Sequence, residues 1–256
     1  MSDPTEREAT EKALRVFLLG IEDVLGKAGL ATALRQANAP QYIGHCPPPT
    51  MDRTGHKARY ITQVTRAIHN IYGVRGARAI VQHVGRAQAQ SGIAEMPLLI
   101  SATKIAMKLV PRRQQVRLVL EMEARAVNEQ VDDQIEIAED MEFFYHEAHQ
   151  CCYCIDWQGE SSSVCHTTVG FLNGLLAAMI EDAKFRVDET MCRAKGDPMC
   201  RYRITLNPKR FGKQNEQRFA SSEQSISRHS ARRRGRCRQT RDGNDFAARG
   251  FGAVHQ

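Results

Sequence analysis

The sequence of 256 residues has no apolar run that approaches the ~20 residues needed to span a bilayer, and no signal-peptide pattern. It also lacks the motifs of several enzyme classes: no GxGxxG follows a predicted strand, and there is no Walker loop, GxSxG or HExxH. These absences argue against a membrane span and against the common nucleotide-dependent and hydrolytic active sites. Eight cysteines, several in positions suited to thiolates, indicate a reducing compartment, so a cytoplasmic protein is expected.

The net charge of +7 is concentrated at one end of the chain. From Phe211 onward, ten Lys and Arg residues stand against four Asp and Glu, so this segment carries +6 and the preceding body only +1. The body therefore has no electrostatic footprint for nucleic acid. Few large apolar residues and no periodicity predict a disordered basic tail at 211–256, whose deletion should leave the melting temperature nearly unchanged. An arm for RNA, DNA or another anionic partner and an accidental extension both fit this composition, and we favour the second.

Helical periodicity dominates the first half. Four amphipathic stretches are expected to be helices: Leu14 to Leu25 with a loosening at Gly26, Tyr60 to Val84 with a break at Gly73, Pro97 to Met107, and Pro111 to Gln130. The first of them, within residues 1–29, offers an apolar surface for a homodimer. Consecutive prolines make the segment from Cys46 to Gly55 a loop.

After residue 134 the period changes to that of strands. Short strands are expected around Ile135 and Ile137, around Phe143 and Tyr145, from Phe185 to Asp188, and from Cys200 to Leu206. The segment from Cys151 to Trp157 is expected to extend the second strand or to form another. Ser161 to Ser163 can cap a helix that follows. The fold class predicted is therefore α+β, with N-terminal helices followed by a small antiparallel sheet and a helix packed on it.

Four residues near the end of the body have the chemistry of a zinc site: Cys165, Glu189, Cys192 and Cys200. Thiolates and a carboxylate are zinc ligands, and four of them complete a tetrahedral shell. Reduced cysteines also pack as small hydrophobic residues, and the seven residues between the last two cysteines are not a standard zinc-finger interval. Spacing alone leaves both interpretations open.

The predicted strand sets a condition on this site. A straight strand would place Glu189 and Cys192 on opposite faces, because side chains alternate with period two. Both can reach one ion only if the strand ends or bulges near residue 190. Cys154, of a CxxC pair, and His166 compete with Cys165 for the fourth ligand position.

The sequence from Val187 to Ile204, VDExxC followed by GDxxCRYxI, together with Cys165, resembles the 4-vinyl reductase domain. The resemblance spans residues 30–206 and is closest to the branch linked to bacteriochlorophyll synthesis. It implies a fold related to the sensor domain of phenol-responsive regulators and to a Golgi-tethering subunit. In the phenol-sensor branch the matching positions hold a structural zinc, which implies Cys165, Glu189, Cys192 and Cys200 as ligands here.

The resemblance also implies a function at the 4-vinyl reduction step of bacteriochlorophyll synthesis, as an enzyme or as a carrier of the tetrapyrrole precursor. No nicotinamide or flavin motif accompanies it, so binding is expected rather than unaided reduction. A small-molecule sensing module, for example for aromatic hydrocarbons, and a non-enzymatic adaptor are the alternatives. The candidate wall residues of the ligand pocket are Phe143, Tyr145, Tyr153, Trp157, Phe171 and Leu175.

Overall fold

The computed structural model describes residues 7–53 and 58–206, so the predicted basic tail at 211–256 lies outside the described residues. Within those ranges the α-helices are α1 (Glu11–Gln36), α2 (Arg59–Glu95), α3 (Pro97–Met107), α4 (Arg112–Val131) and α5 (His166–Met179). The strands are β1 (Ile135–Glu139), β2 (Phe143–Ala148), β3 (Phe185–Met191) and β4 (Cys200–Leu206). The predicted α+β class is confirmed. No helix in these ranges is long and apolar enough to cross a membrane.

Two glycines bend the long N-terminal helices where the sequence predicts breaks. Gly26 within α1 and Gly73 within α2 have φ angles of 69° and 67°. Residues with a Cβ rarely adopt this left-handed region, so glycine lets each helix change direction without strain. The apolar faces of α1 and α2 then pack against each other and form a core of their own. The dimer contact expected of residues 1–29 stays a prediction.

The four strands form one antiparallel sheet in the order β1-β2-β4-β3. Phe144 pairs with Ile204, His146 with Tyr202, and Ala148 with Cys200. Each of these six residues is buried, because one face of the sheet packs under α4 and α5. The alternate residues of β2, among them Phe143 and Tyr145, lie on the other face.

Helices α2 and α5 cross at two glycines. A Cβ on Gly85 would overlap the carbonyl oxygen of Thr167, and a Cβ on Gly170 would overlap the carbonyl oxygen of Gln82. Only residues without side chains let the two backbones approach this closely. The crossing fixes α5 against the N-terminal helices as well as against the sheet.

The segment from Cys151 to Trp157 is not a strand, which corrects the prediction. It is a chain of turns, and side chains from elsewhere satisfy its backbone. Asp133 accepts a hydrogen bond from the Cys152 amide at 3.0 Å, and the Thr62 hydroxyl accepts one from the Ile155 amide at 2.9 Å. The following helix starts at His166, a few residues later than the serines that were expected to cap it.

Candidate functional site

The turns and strand ends bring the four predicted metal ligands together. Cys165 directly precedes α5, Glu189 lies on β3, Cys192 follows β3, and Cys200 opens β4. One donor atom from each lies within 4.8 Å of the others. The pairing of β3 with β4 shifts register between Glu189 and Met191, so the break that the sequence required near residue 190 is confirmed.

The 151–157 segment adds two more thiols to the same place. A second group of four donors within 4.8 Å of one another consists of Cys151, Cys154, Cys165 and Cys200. The two groups share Cys165 and Cys200. We call the five thiols, Cys151, Cys154, Cys165, Cys192 and Cys200, the thiol cluster. All five are buried and none forms a disulfide.

The spacing of the sulfur atoms suits tetrahedral metal coordination. The Sγ of Cys165 lies 3.8 Å from that of Cys200, 3.9 Å from that of Cys192 and 3.6 Å from that of Cys151. The Sγ atoms of Cys154 and Cys200 are 3.5 Å apart. Zn–S bonds of ~2.3 Å would place the sulfur atoms of a tetrahedral site about 3.8 Å apart. The cluster therefore needs little movement to enclose one ion.

Glu189 contributes a buried carboxylate that the described residues leave unsatisfied. Its side chain is 1% exposed, and neither carboxylate oxygen has a hydrogen-bond partner in the ranges described. His166 Nδ1 lies 3.3 Å from one oxygen but without hydrogen-bond geometry. A buried unpaired carboxylate costs several kcal/mol, roughly the range known for buried charged groups. A cation coordinated by Glu189 would remove that cost.

The electrostatics of the cluster favour the same conclusion. Burial raises the pKa of the Glu189 carboxyl, and the neighbouring Cys192 raises it further. Burial also raises the pKa of the Cys165 thiol, whereas hydrogen bonds with Cys154 and other thiols lower the pKa of Cys192. A divalent cation stabilises thiolate and carboxylate together, because its charge is the largest in such a site. The donor set thus fits Zn²⁺.

A separate apolar cavity of about 280 Å³ lies between the helices and the sheet. Every α-helix contributes to its wall, and β1 and β2 close it with Ile135, His146 and Ala148. Neither Glu189 nor any residue of the thiol cluster lines this cavity. A metal held by the cluster would therefore stabilise the fold rather than touch a ligand in this cavity.

The structure brings three of the six predicted pocket residues to this cavity: Tyr153, Phe171 and Leu175. Phe143 and Tyr145 do not line it, because they lie on the opposite face of β2, where the guanidinium groups of Arg203 and Arg201 cover their rings. This placement corrects the expectation for both residues.

Trp157 does not line the apolar cavity either. Its ring packs edge-on against His69, with the ring centroids 5.2 Å apart, and carries the Arg66 guanidinium 5.0 Å above it. It lines a second cavity of about 440 Å³, whose wall also includes Arg7 and Arg193. The mixed polar wall makes this second space a poor match for an apolar ligand.

Several polar groups lie in the wall of the apolar cavity. Glu123 of α4 and His146 of β2 are in contact, with 3.0 Å between Oε2 and Nε2, and both are buried. The Tyr153 hydroxyl donates to Gln88 at 3.4 Å. Apolar walls with a few convergent polar groups are typical of small-molecule sites.

Sequence reasoning missed the pair formed by Glu123 and His146. The signal was present, because Glu123 lies on the same helical face as the buried residues Val119 and Leu120. A charged residue at a core position is rarely left without a partner. His146, in turn, follows Phe144 with the period of the inward strand face.

Comparisons with known proteins return no family model and no curated protein that matches this chain. Solved structures do match, and three of them are H-NOX proteins. One of them, from a structural study of the molecular mechanism of H-NOX activation, is 12% identical to this chain, with a TM-score of 0.44. The match covers 78% of this chain and 96% of the H-NOX chain. A point mutant of T. tengcongensis H-NOX is 10% identical, with a TM-score of 0.44 and coverage of 77% and 97%. An H-NOX protein from S. oneidensis in the Fe(II)NO ligation state is 12% identical, with a TM-score of 0.43 and coverage of 75% and 98%.

These findings overturn the expected membership of the bacteriochlorophyll-linked 4-vinyl reductase branch. No family model of that domain matches, and the structures described above are H-NOX proteins. The predicted role in bacteriochlorophyll synthesis and photosynthesis is therefore wrong as well. The likeness to H-NOX proteins is too distant to bring a ligand or an activity to this chain.

Proposed function

We propose that this protein is a small-molecule binding module of the sensing type, and that its ligand occupies the apolar cavity between the helices and the sheet. The cavity itself carries the proposal: it has mostly apolar walls and a volume of about 280 Å³. Aromatic and aliphatic side chains such as Phe17, Val119 and Phe171 form those walls. Ligand sites in proteins combine such walls with a small number of polar groups.

The volume favours a ligand much smaller than a tetrapyrrole. A cavity of roughly 150 Å³ holds one benzene molecule, so about 280 Å³ suits a compound of one or two rings. Met96 and Ile100, where α2 passes into α3, also line the cavity. Small aromatic compounds are therefore the ligand class proposed.

Gly92 of α2 offers a direct test of this site. It lines the cavity, its backbone is helical, and a Cβ added there would meet no atom within 4 Å. Gly92→Phe should fill the cavity without a backbone clash and weaken binding of indole at least about tenfold, a difference near 1.4 kcal/mol. Calorimetric titration of the full chain with indole measures this.

Gly92→Ala is the matched control, since a methyl group leaves most of the cavity open. It should bind indole within about twofold of the wild type, a change below 0.5 kcal/mol. Equal indole affinity in Gly92→Phe and wild type would place the ligand elsewhere. Absence of saturable binding by any small aromatic compound would refute the proposal.

We also propose that the thiol cluster and Glu189 hold one structural Zn²⁺, with Cys165, Glu189, Cys192 and Cys200 as the ligands. The unpaired carboxylate of Glu189 supports this group over the four-cysteine group. Such an ion needs no open coordination position, and its binding free energy would contribute to folding. It would tie the start of α5 to the ends of β3 and β4.

Metal analysis of purified variants tests the choice of ligands. Wild-type protein should carry about one zinc per chain. Cys200→Ser should lose it, because Cys200 belongs to both groups, and should be destabilised by at least about 4 kcal/mol, since structural zinc supplies roughly 10–16 kcal/mol in zinc-finger peptides. Glu189→Gln should lose it too, whereas Cys151→Ser should keep it. Loss in Cys151→Ser with retention in Glu189→Gln would assign the ion to the four-cysteine group.

A further inference from the structure

Helix α3 is apolar on both of its faces. Its inward side chains Ile100 and Met107 pack against the hydrophobic core that α4, α5 and the sheet share. Its outward side chains are apolar too: Leu98 is 86% exposed and Ile105 is 68% exposed, and Leu109, in the turn after the helix, is 90% exposed. A helix with apolar residues all round is normally covered on every side, by protein or by lipid. The outward face of α3 therefore has the composition of a contact surface.

The exposed apolar side chains form one stripe. At ~100° per helical residue, Leu98 and Ile105 point within roughly 20° of each other, and Leu109 continues the same line. We call these three residues the apolar stripe. The rest of the outward face is small and uncharged, and consists of Ser101, Ala102 and Ala106. No charged side chain of α3 thus interrupts the stripe.

Positive charge flanks this stripe. The segment 97–120 contains no Asp or Glu and five basic residues, Lys104, Lys108, Arg112, Arg113 and Arg117. Lys104 and Lys108 lie roughly 80–120° to one side of the Leu98 direction, between the outward and the inward face. Long basic side chains in such a flanking position keep their charge in the water while apolar neighbours insert below them.

Acidic residues from other elements neutralise only part of this charge. Glu181 pairs with Lys108 at 3.5 Å, and acidic residues of α4 and β1 pair with two arginines of α4. Within residues 7–53 and 58–206, no carboxylate pairs with Lys104, and Arg112 donates to the backbone carbonyl of Glu181 rather than to its carboxylate. The side of the molecule that carries the apolar stripe therefore keeps a surplus of positive charge.

We propose that α3 docks on the surface of an anionic lipid membrane, with the apolar stripe among the lipid chains and Lys104, Lys108 and Arg112 beside the lipid phosphates. Exposed apolar residues flanked by cations are the pattern of helices that lie in a membrane interface. A second copy of this chain is a poorer partner, because a two-fold interface would set the same cations of both copies against each other. The proposal depends on neither the proposed ligand nor the proposed metal.

Sedimentation of the full chain with lipid vesicles tests this surface. The protein should bind vesicles of phosphatidylcholine mixed with phosphatidylglycerol at least about tenfold more tightly than vesicles of phosphatidylcholine alone. Leu98→Gln with Ile105→Gln keeps the charge but removes most of the stripe, and should weaken binding to the anionic vesicles at least about tenfold. Lys104→Gln should weaken it about fivefold, the effect of one cation near such a surface.

Val74→Gln and Arg75→Gln are the matched controls. Both residues are exposed on α2, roughly 30 Å along the chain from the start of α3, and both variants should bind within about twofold of the wild type.

Unchanged binding after Leu98→Gln with Ile105→Gln would assign attachment to another part of the chain, such as the basic segment from Phe211, and overturn the proposal. Absence of binding to anionic vesicles would overturn it too. A dimer that the same double variant dissociates would then show that the stripe joins two copies of this chain.

Discussion

At the scale of single residues, two glycines of one helix have opposite roles. Gly85 and Gly92 both lie in α2 within two turns of each other. A side chain on Gly85 would overlap the backbone of α5 at Thr167, whereas one on Gly92 meets open space. The sequence does not distinguish them, because each is a glycine in a helical pattern.

The same substitution at these glycines should therefore change stability in opposite directions. Gly85→Ala is expected to lower the free energy of unfolding by about 2–3 kcal/mol, because the two helix backbones must separate. Gly92→Ala is expected to raise it by up to about 1 kcal/mol through helix propensity. Urea denaturation of both variants measures the difference. A similar decrease in the free energy of unfolding of both variants would show that the close approach of α2 and α5 at Gly85 does not determine the effect of its substitution.

The sequence predicts which residue types form the metal site better than it predicts how close those residues lie in the fold. The grouping of Cys165 and Cys200 with Glu189 follows from residue types and from the resemblance. The entry of Cys151 into the same cluster depends on how the 151–157 turns fold back over the start of β4. No local pattern encodes that distance, so the sequence treats the CxxC pair as a weak separate signal.

At the scale of elements, the junction between α4 and β1 holds the turns of 151–157. Asp133 is 4% exposed and accepts from the amide of Cys152, with Arg7 3.8 Å away. Burial raises the pKa of the Asp133 carboxyl well above its usual range, and the neighbouring Cys151 adds to this effect. The sequence predicts a strand at 151–157 because Cys, Tyr, Ile and Trp favour strands. The segment forms turns instead, and side chains rather than a neighbouring strand accept hydrogen bonds from its amides.

Asp133 should make stability depend on pH. Above the pKa of about 3.9 of an unfolded Asp, the folded state holds the proton that the unfolded state has lost. The contribution of Asp133 to the free energy of unfolding is therefore fully present below the unfolded pKa. It decreases by up to about 1.4 kcal/mol per pH unit as the pH rises from the unfolded pKa through the raised folded pKa. Asp133→Asn removes this slope and keeps an acceptor for the amide, so its stability relative to wild type should rise from pH 5 to pH 8.

Asp132→Asn is the matched control for this measurement. Asp132 is the exposed neighbour, and its φ of 52° is one that asparagine adopts readily. Its pH profile should follow that of the wild type in chemical denaturation at several pH values. A wild-type profile that rises between pH 5 and pH 8, parallel to Asp133→Asn, would contradict the role given to Asp133.

At the scale of the whole molecule, the order of helices and strands could be predicted and the family could not. Helical and strand periods located α1 to α4 and all four strands, and they predicted the breaks at Gly26 and Gly73. Family membership depended on a short pattern around residues 187–204, which the comparisons do not support. Cysteines at strand ends around a turn can bind a metal or pack in a buried hairpin in unrelated proteins. Such a pattern therefore indicates local chemistry rather than common ancestry.

The architecture also connects the two proposed sites. Helix α5 begins directly after Cys165, and two residues of the cavity wall, Phe171 and Leu175, lie roughly 8 and 14 Å further along it at 1.5 Å per residue. An ion that fixes Cys165 to Cys192 and Cys200 would hold the first turn of this helix in place. Loss of the ion should loosen α5 and hence the cavity wall.

Metal removal should therefore weaken ligand binding although no metal ligand lines the cavity. We expect indole affinity to fall at least about fivefold after treatment with a chelator, the lower end of typical couplings between sites. By the same coupling, saturating indole should raise the affinity for zinc by an equal factor, which a competition with a zinc-binding dye measures. Circular dichroism must show that the metal-free protein keeps its helices, since unfolding would abolish binding trivially. Unchanged indole affinity in a folded, metal-free protein would show that α5 is held by its glycine crossing with α2 alone.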